Sequence, residues 1–216
     1  MSEIWQRIQH AGIWAGPIFF WQAVAIAIII ERSLFLYGNS INADMFLQTM
    51  QKCILGGDVQ KAVKVCSAQN APMARIIQAG LVKINRPDAE VQAAMDESAL
   101  REMPKINART PYLALLANLA MLSGLFGTVE GLITAFGSVS GKGVDPSEKA
   151  RILAAGISEA MNCTMFGLGA AIIALLGFAI LNGKTQALED DINMVSVEVL
   201  NLVVANREKV NIQQAA

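Results

Sequence analysis

Residues 152–183 read ILAAGISEAMNCTMFGLGAAIIALLGFAILNG, and Glu159 is the one charged residue among them. A second stretch, residues 110–141, has the same character, with Glu130 as its one charge. Each stretch is longer than the roughly 20 apolar residues that a helix needs to cross a bilayer. The sequence therefore predicts two membrane-spanning helices, each carrying a single carboxylate.

The two carboxylates are the first indication of function. An ionisable side chain within a bilayer costs about 3 kcal/mol or more, so it normally faces a protein interior or a water path. We therefore expect Glu159 to take part in ion movement.

The composition is that of a membrane protein. Hydrophobic residues make up 54% of the chain and charged residues 16%, and the mean hydropathy is +0.43. A net charge of -1 indicates no basic surface for nucleic acid. Cys53, Cys66 and Cys163 are an odd set without a CxxC pair, which favours neither a disulfide framework nor a zinc site. We expect Cys53 and Cys66 to be small packing residues, and we expect no metal and no cofactor.

A first span precedes the other two, since residues 8–30 carry no charge and Glu31, Arg32 and Tyr37 follow as interfacial anchors. We expect the aromatic residues of this span, Trp14 among them, to contact lipid. The predicted organisation is an interfacial N-terminal helix (1–13), transmembrane helix 1 (14–37), a cytoplasmic helical insertion (38–109), transmembrane helix 2 (110–141), a periplasmic loop (142–150), transmembrane helix 3 (151–183) and a cytoplasmic helical tail (184–216).

The insertion is polar, and its apolar residues recur at helical spacing, which predicts three or four short helices with Asp58 and Asp88 as N-caps. It holds more than half of the seventeen Lys and Arg residues, so the positive-inside rule places it in the cytoplasm. The N-terminus is then periplasmic and the C-terminus cytoplasmic. The tail carries an apolar helical stripe that continues the third span: Leu188, Ile192, Val195, Val199, Leu202 and Val203. The predicted fold is an all-α membrane protein whose long second and third helices extend into the cytoplasm.

The second and third spans each have one face of small residues at helical spacing. Such faces let backbones approach closely in lipid, so they serve helix packing or, in an oligomer, line a central lumen. The residues are Gly124, Gly127 and Gly131 on the second span and Gly156, Ala160, Gly167 and Ala171 on the third.

Two hydroxyls interrupt these small faces. At 1.5 Å per residue from the outer ends of the spans, Thr128 and Thr164 lie roughly 15 and 18 Å deep, near the bilayer middle, and Glu159 lies about 10 Å deep. A threonine hydroxyl can also bond its own helix one turn back, which would need no function. The common level of the two hydroxyls, with a carboxylate above them, indicates a polar path.

Enzyme chemistry is not indicated. Residues 137–141, GSVSG, resemble a nucleophile elbow, but Val139 occupies the nucleophile position and the single histidine, His10, is far away in sequence. The sequence has no Walker A motif and no cluster with metal-ligand spacing.

The motif GLFGTVEG at 124–131, followed by GISEAMNCTMFG at 156–167, resembles the paired signatures of the MotA/TolQ/ExbB proton-channel family. The order of three spans with a large loop after the first agrees. Within that loop, Gly57-Asp58, Pro72 and residues 79–81 (AGL) are more similar to the TolQ/ExbB branch than to the flagellar one.

This resemblance implies a homo-oligomer, most simply a pentamer, around single-span ExbD/TolR-like subunits, with TonB/TolA-like or motility partners. It also implies a proton pathway through Thr128, Glu159 and Thr164. Glu130 departs from the family pattern, where ExbB has an aromatic residue. It is an additional pathway group, an intersubunit ion-pair partner or a selectivity element.

We therefore expect the channel-forming subunit of a proton-driven motor in the bacterial inner membrane. Such motors energise TonB-type transport, maintain the envelope through Tol or drive gliding motility. The alternative is a non-conducting membrane scaffold that recruits cytoplasmic partners through residues 38–109.

Overall fold

The computed structural model describes residues 13–140 and 145–206, and every regular element in these ranges is an α-helix. The helices are α1 (Ala15–Gly38), α2 (Ala43–Leu55), α3 (Val59–Ala68), α4 (Pro72–Val82), α5 (Asp88–Asn107), α6 (Tyr112–Val139) and α7 (Pro146–Ala205). Of the predicted interfacial helix (1–13), only Ile13 belongs to the described residues. Residues 207–216 of the predicted tail also lie outside them.

Three stretches contain helices long and apolar enough to cross a membrane: Ala15–Leu55, Asp88–Val139 and Pro146–Ala205. Helices suit this setting because their backbone hydrogen bonds are satisfied within the segment. The predicted all-α membrane fold is confirmed.

The described residues form two compact units. The first, called the membrane unit below, contains residues 13–32, 109–140 and 145–181, and the second, the helical unit, contains residues 33–108 and 182–206. Helices α1 and α7 each contribute to both units.

The membrane unit packs the start of α1 against α6 and α7. Its buried cluster consists of Ile18, Ala120, Cys163 and Ala170, with three partly buried aromatic side chains against it, Trp14, Trp21 and Phe166. Both tryptophans of the first span therefore contact protein with part of their rings, and the predicted lipid contact of the aromatic residues stays a prediction. At Gly177 of α7, the side chain of Ile29 of α1 occupies the space that the glycine leaves open.

The chain breaks between α5 and α6, so the long second helix of the prediction is two helices. Arg109 has a φ of 65°, which ends helical geometry, and it forms an ion pair with Glu31. Pro111 follows as the N-cap of α6. A proline has no N–H to donate and disfavours helical geometry in the residue before it, so a helix begins here more readily than it continues.

In the helical unit, the apolar stripe of the tail is buried almost completely. Leu188, Ile192, Val195, Val199 and Val203 are each at most 2% exposed, and Leu202 is partly exposed. Because α7 is one helix of 60 residues, the tail continues the third apolar stretch without interruption.

The two predicted N-caps differ in outcome. Asp58 caps α3, because its carboxylate accepts a hydrogen bond from the Lys61 backbone N–H at 2.9 Å. The prediction for Asp88 is wrong, because Pro87 occupies the cap position of α5 and Asp88 is the first helical residue. In the first turn of α5, the Asp88 carboxylate still interacts favourably with the positive, N-terminal end of the helix dipole.

A buried carboxylate connects two helices of this unit. Glu102 of α5 is 6% exposed and forms ion pairs with Arg75 of α4 at 2.8 Å and with Lys105 at 2.7 Å. Burial opposes its ionisation, but the hydrogen bonds from Lys105 and Arg75 outweigh burial and hold the pKa of Glu102 below its usual value. The two thiols predicted as small packing residues, Cys53 and Cys66, are buried and free, and so is Cys163. Burial, with a smaller contribution from Cys53, raises the pKa of Cys66 to about 12.

Candidate functional site

Thr128 of α6 and Thr164 of α7 lie directly against each other, and their hydroxyls are within hydrogen-bond distance. Both hydroxyls also face the Gly124 carbonyl, at 3.1 Å from Thr128 and 3.4 Å from Thr164. The Thr128 hydroxyl has a further acceptor in the Ala160 carbonyl at 3.4 Å. The structure thus brings together the two hydroxyls that the sequence placed at a similar depth in the membrane. The Thr128 hydroxyl also bonds the carbonyl of Gly124, one turn back in its own helix.

The small residues explain why the threonines meet. A Cβ added at Gly124 would lie 3.0 Å from Gly167 Cα, and one added at Gly131 would lie 3.1 Å from Ala160 Cβ. At these points α6 and α7 approach backbone to backbone. Gly127, Gly156 and the buried Ala171 belong to the same packed interior of the membrane unit. Within one chain, these residues pack the helices of the membrane unit together. The other predicted role, lining a central lumen, concerns an oligomer.

The two carboxylates line one open cavity of about 410 Å³ in the membrane unit. Glu130 comes from α6 and Glu159 from α7, and Arg151 of α7 also lines the cavity. Gly127 and Cys163 form part of its wall, whereas the threonines that follow them in sequence do not line it. The structure therefore separates the predicted site into a hydroxyl pair and a carboxylate cavity, joined through adjacent residues on both helices.

Neither carboxylate is enclosed by the single chain. The side chains of Glu130 and Glu159 are both exposed, although they belong to stretches that are apolar enough to cross a membrane. An exposed carboxylate at such a position requires water, a second protein surface or a counter-ion.

Sequence reasoning missed Trp14. Its indole N–H donates a hydrogen bond to the Glu130 carboxylate, and its ring packs on Phe126 with 4.5 Å between ring centroids. The sequence contains no direct signal for this pairing, because the two residues are 116 positions apart and a tryptophan in an apolar span has lipid as its default contact.

The described ranges hold no group of three or more His, Cys, Asp or Glu side chains that could bind a metal ion. The candidate site therefore consists of two carboxylates on an open cavity and a pair of hydroxyls beside it.

Fold and site together define an all-α, multi-pass membrane protein with polar groups between its membrane helices. Comparison with known proteins gives the family. Residues 68–194, more than half of the chain, match the MotA/TolQ/ExbB proton channel family. The chain belongs to this family and is an inner-membrane protein.

Its relatives come from the TolQ/ExbB branch. The chain is 28% identical over 165 residues to a putative biopolymer transport protein ExbB-like 3 of Synechocystis sp., which covers 76% of this chain and 78% of that protein. It is 26% identical over 205 residues to the Tol-Pal system protein TolQ of Pseudomonas aeruginosa, covering 87% and 86%. With TolQ of Haemophilus influenzae it shares 34% identity over 113 residues, about half of each chain.

Proposed function

We propose that this protein is the channel-forming subunit of a proton-driven motor that couples the ion gradient to mechanical work in the cell envelope. The observation that carries the proposal is the constellation of Thr128, Thr164, Glu130 and Glu159 between two membrane helices of a proton-channel-family chain. The hydroxyls of the threonine pair can relay a proton from one to the other. Glu159 supplies a carboxyl that exchanges a proton with water in the cavity.

The proposed assembly is a homo-oligomer, most simply a pentamer, around ExbD/TolR-like single-span helices. It is supported by the exposure of Glu130 and Glu159, since exposed carboxylates within the membrane need water or a further protein surface beside them. The family membership supports the same partner class. A partner helix against the cavity would complete the path with its own ionisable group.

The proposed topology places the N-terminus in the periplasm and residues 38–109 and the C-terminal tail in the cytoplasm. It is supported by residues 38–109, which hold more than half of the seventeen Lys and Arg residues of the chain.

Proton flux in reconstituted vesicles tests the function. The chain is reconstituted with its ExbD/TolR-like partner, an inside-negative potential is imposed with potassium and valinomycin, and acidification of the lumen is followed with a trapped pH dye. We expect flux with both subunits present and none with a partner that lacks the ionisable residue of its membrane helix. A complex that assembles fully yet never conducts supports the non-conducting scaffold and contradicts the channel.

A further inference from the structure

Trp14 is held on α6 by three separate contacts near Glu130. The indole N–H bonds the Glu130 carboxylate, the ring packs on Phe126, and the backbone of α6 is close at Gly127. A Cβ added at Gly127 would clash with Cys163 Sγ and would lie 3.0 Å from Trp14 Cβ, so the cysteine and the tryptophan share the space that this glycine leaves open.

Phe126 and Glu130 are four residues apart and therefore lie on one face of α6, with Gly127 beside them. The tryptophan thus covers one turn of the helix. Its ring contacts Phe126 at the N-terminal end of that turn, and its N–H contacts the Glu130 carboxylate at the C-terminal end.

The chemistry of the indole defines what this contact does. Its N–H is a donor and never an acceptor, and it does not ionise. It therefore takes no proton from Glu130 and passes none on, but it fixes one carboxylate oxygen and leaves the other free. The hydrogen bond therefore restricts the rotamers of the Glu130 side chain.

Glu130 lines the same cavity as Glu159, and Trp14 lines it too. The other titratable side chains on the cavity wall are Arg151 and Cys163, both on α7, and the lining residues just before α1, Ile13 and Trp14, contribute none. A carboxylate held on this wall is therefore presented to the space that Glu159 also faces.

We propose that Trp14 is a positioning residue that holds Glu130 on the wall of the Glu159 cavity, so that both carboxylates serve one ion path. This proposal rests on the proposed function and assigns Glu130 to the path rather than to an intersubunit ion pair. Trp14 is not itself a proton carrier.

A double-substitution cycle in the flux assay tests the proposal. Trp14→Phe keeps the ring but removes the N–H, and Glu130→Gln keeps an acceptor oxygen but cannot ionise. We expect Trp14→Phe to lower flux about tenfold, the equivalent of 1.4 kcal/mol, when Glu130 is present. In the Glu130→Gln background, which is itself impaired, Trp14→Phe should change flux less than about twofold.

Trp21→Phe is the matched control, because Trp21 packs against the same buried cluster of the membrane unit and, among the described residues, its ring contacts Phe20 rather than a carboxylate. It should leave flux unchanged. A spectroscopic readout is independent of flux: in protein labelled with ¹⁵N-tryptophan, Glu130→Ala should move the indole N–H resonance of Trp14 towards that of an unbonded indole and leave that of Trp21 in place.

The proposal is overturned if Glu130→Gln conducts at the wild-type rate, if Trp14→Phe costs the same in both backgrounds, or if Glu130→Ala leaves the Trp14 resonance unmoved. If the wild-type complex itself conducts no protons, the proposed function fails instead, and the resonance shift still reports whether Trp14 holds Glu130.

Discussion

Gly167→Ala tests the packing that brings the threonines together. A methyl group at Gly167 would lie 2.9 Å from the Ala120 carbonyl oxygen and 2.9 Å from Gly124 Cα. Both atoms belong to the backbone of α6, so relief requires the helices to separate. Gly169, two residues further along α7, is the matched control, because a methyl group there meets nothing within 4 Å.

The magnitude follows from two opposing contributions. Replacing glycine by alanine within a helix gains up to about 1 kcal/mol of helix propensity, and this gain is common to both variants. Overpacking costs about 1–3 kcal/mol and applies to Gly167→Ala alone. The free energy of unfolding of Gly167→Ala should therefore lie about 1–3 kcal/mol below that of Gly169→Ala.

Thermal unfolding in a single detergent, followed by the loss of helical circular dichroism, measures the difference. For a chain of this size 1 kcal/mol corresponds to about 2–4 °C in Tm, so Gly167→Ala should melt roughly 2–12 °C below Gly169→Ala. Equal melting temperatures, or a lower Tm for Gly169→Ala, would refute the close approach of α6 and α7 at this point.

Three further predictions concern topology and the helical unit. In a variant without native cysteines, a cysteine at Asp145 should react with a membrane-impermeant thiol reagent in intact cells and one at Asn206 should not; the reverse pattern would invert the proposed topology. In the wild-type protein, Cys66 should resist N-ethylmaleimide at neutral pH until the protein unfolds, because its thiol is buried and its pKa is raised to about 12; rapid labelling of the folded protein would contradict this. The pKa of Glu102 is lowered by folding, so its contribution to stability is full above the unfolded value of about 4.3 and is lost as the pH falls through the folded value. The destabilisation by Glu102→Gln should thus shrink below about pH 4, whereas Glu97→Gln, in an exposed pair, should have little effect at any pH.

The architecture was predictable because it depends on patterns that are local in sequence. Hydropathy alone gives the three long apolar helices, and a 3.6-residue period gives the buried stripe of α7. The meeting of Thr128 with Thr164 was also within reach, since two antiparallel spans of known ends place residues of equal depth side by side.

The remaining features depend on contacts between distant parts of the chain or on a choice between local alternatives. The Trp14 bond to Glu130 joins residues 116 positions apart, and nothing in either neighbourhood specifies it. The break before α6 has a sequence signal in Pro111, but that proline does not specify the uncommon positive φ of Arg109, which a non-glycine residue seldom adopts. At Asp88 the preceding proline already has the extended geometry of a cap, with ψ of 150°, and so displaces the aspartate into the helix.

The most direct test of the proton path is flux through complexes that carry Glu159→Gln or Glu159→Ala. Glutamine preserves the shape and most of the hydrogen bonding of the side chain but cannot ionise, and alanine removes both. We predict that Glu159→Gln assembles with its partner like the wild type and conducts no protons. Wild-type flux in Glu159→Gln, together with failed assembly of Glu159→Ala, would contradict the account and make Glu159 a structural residue.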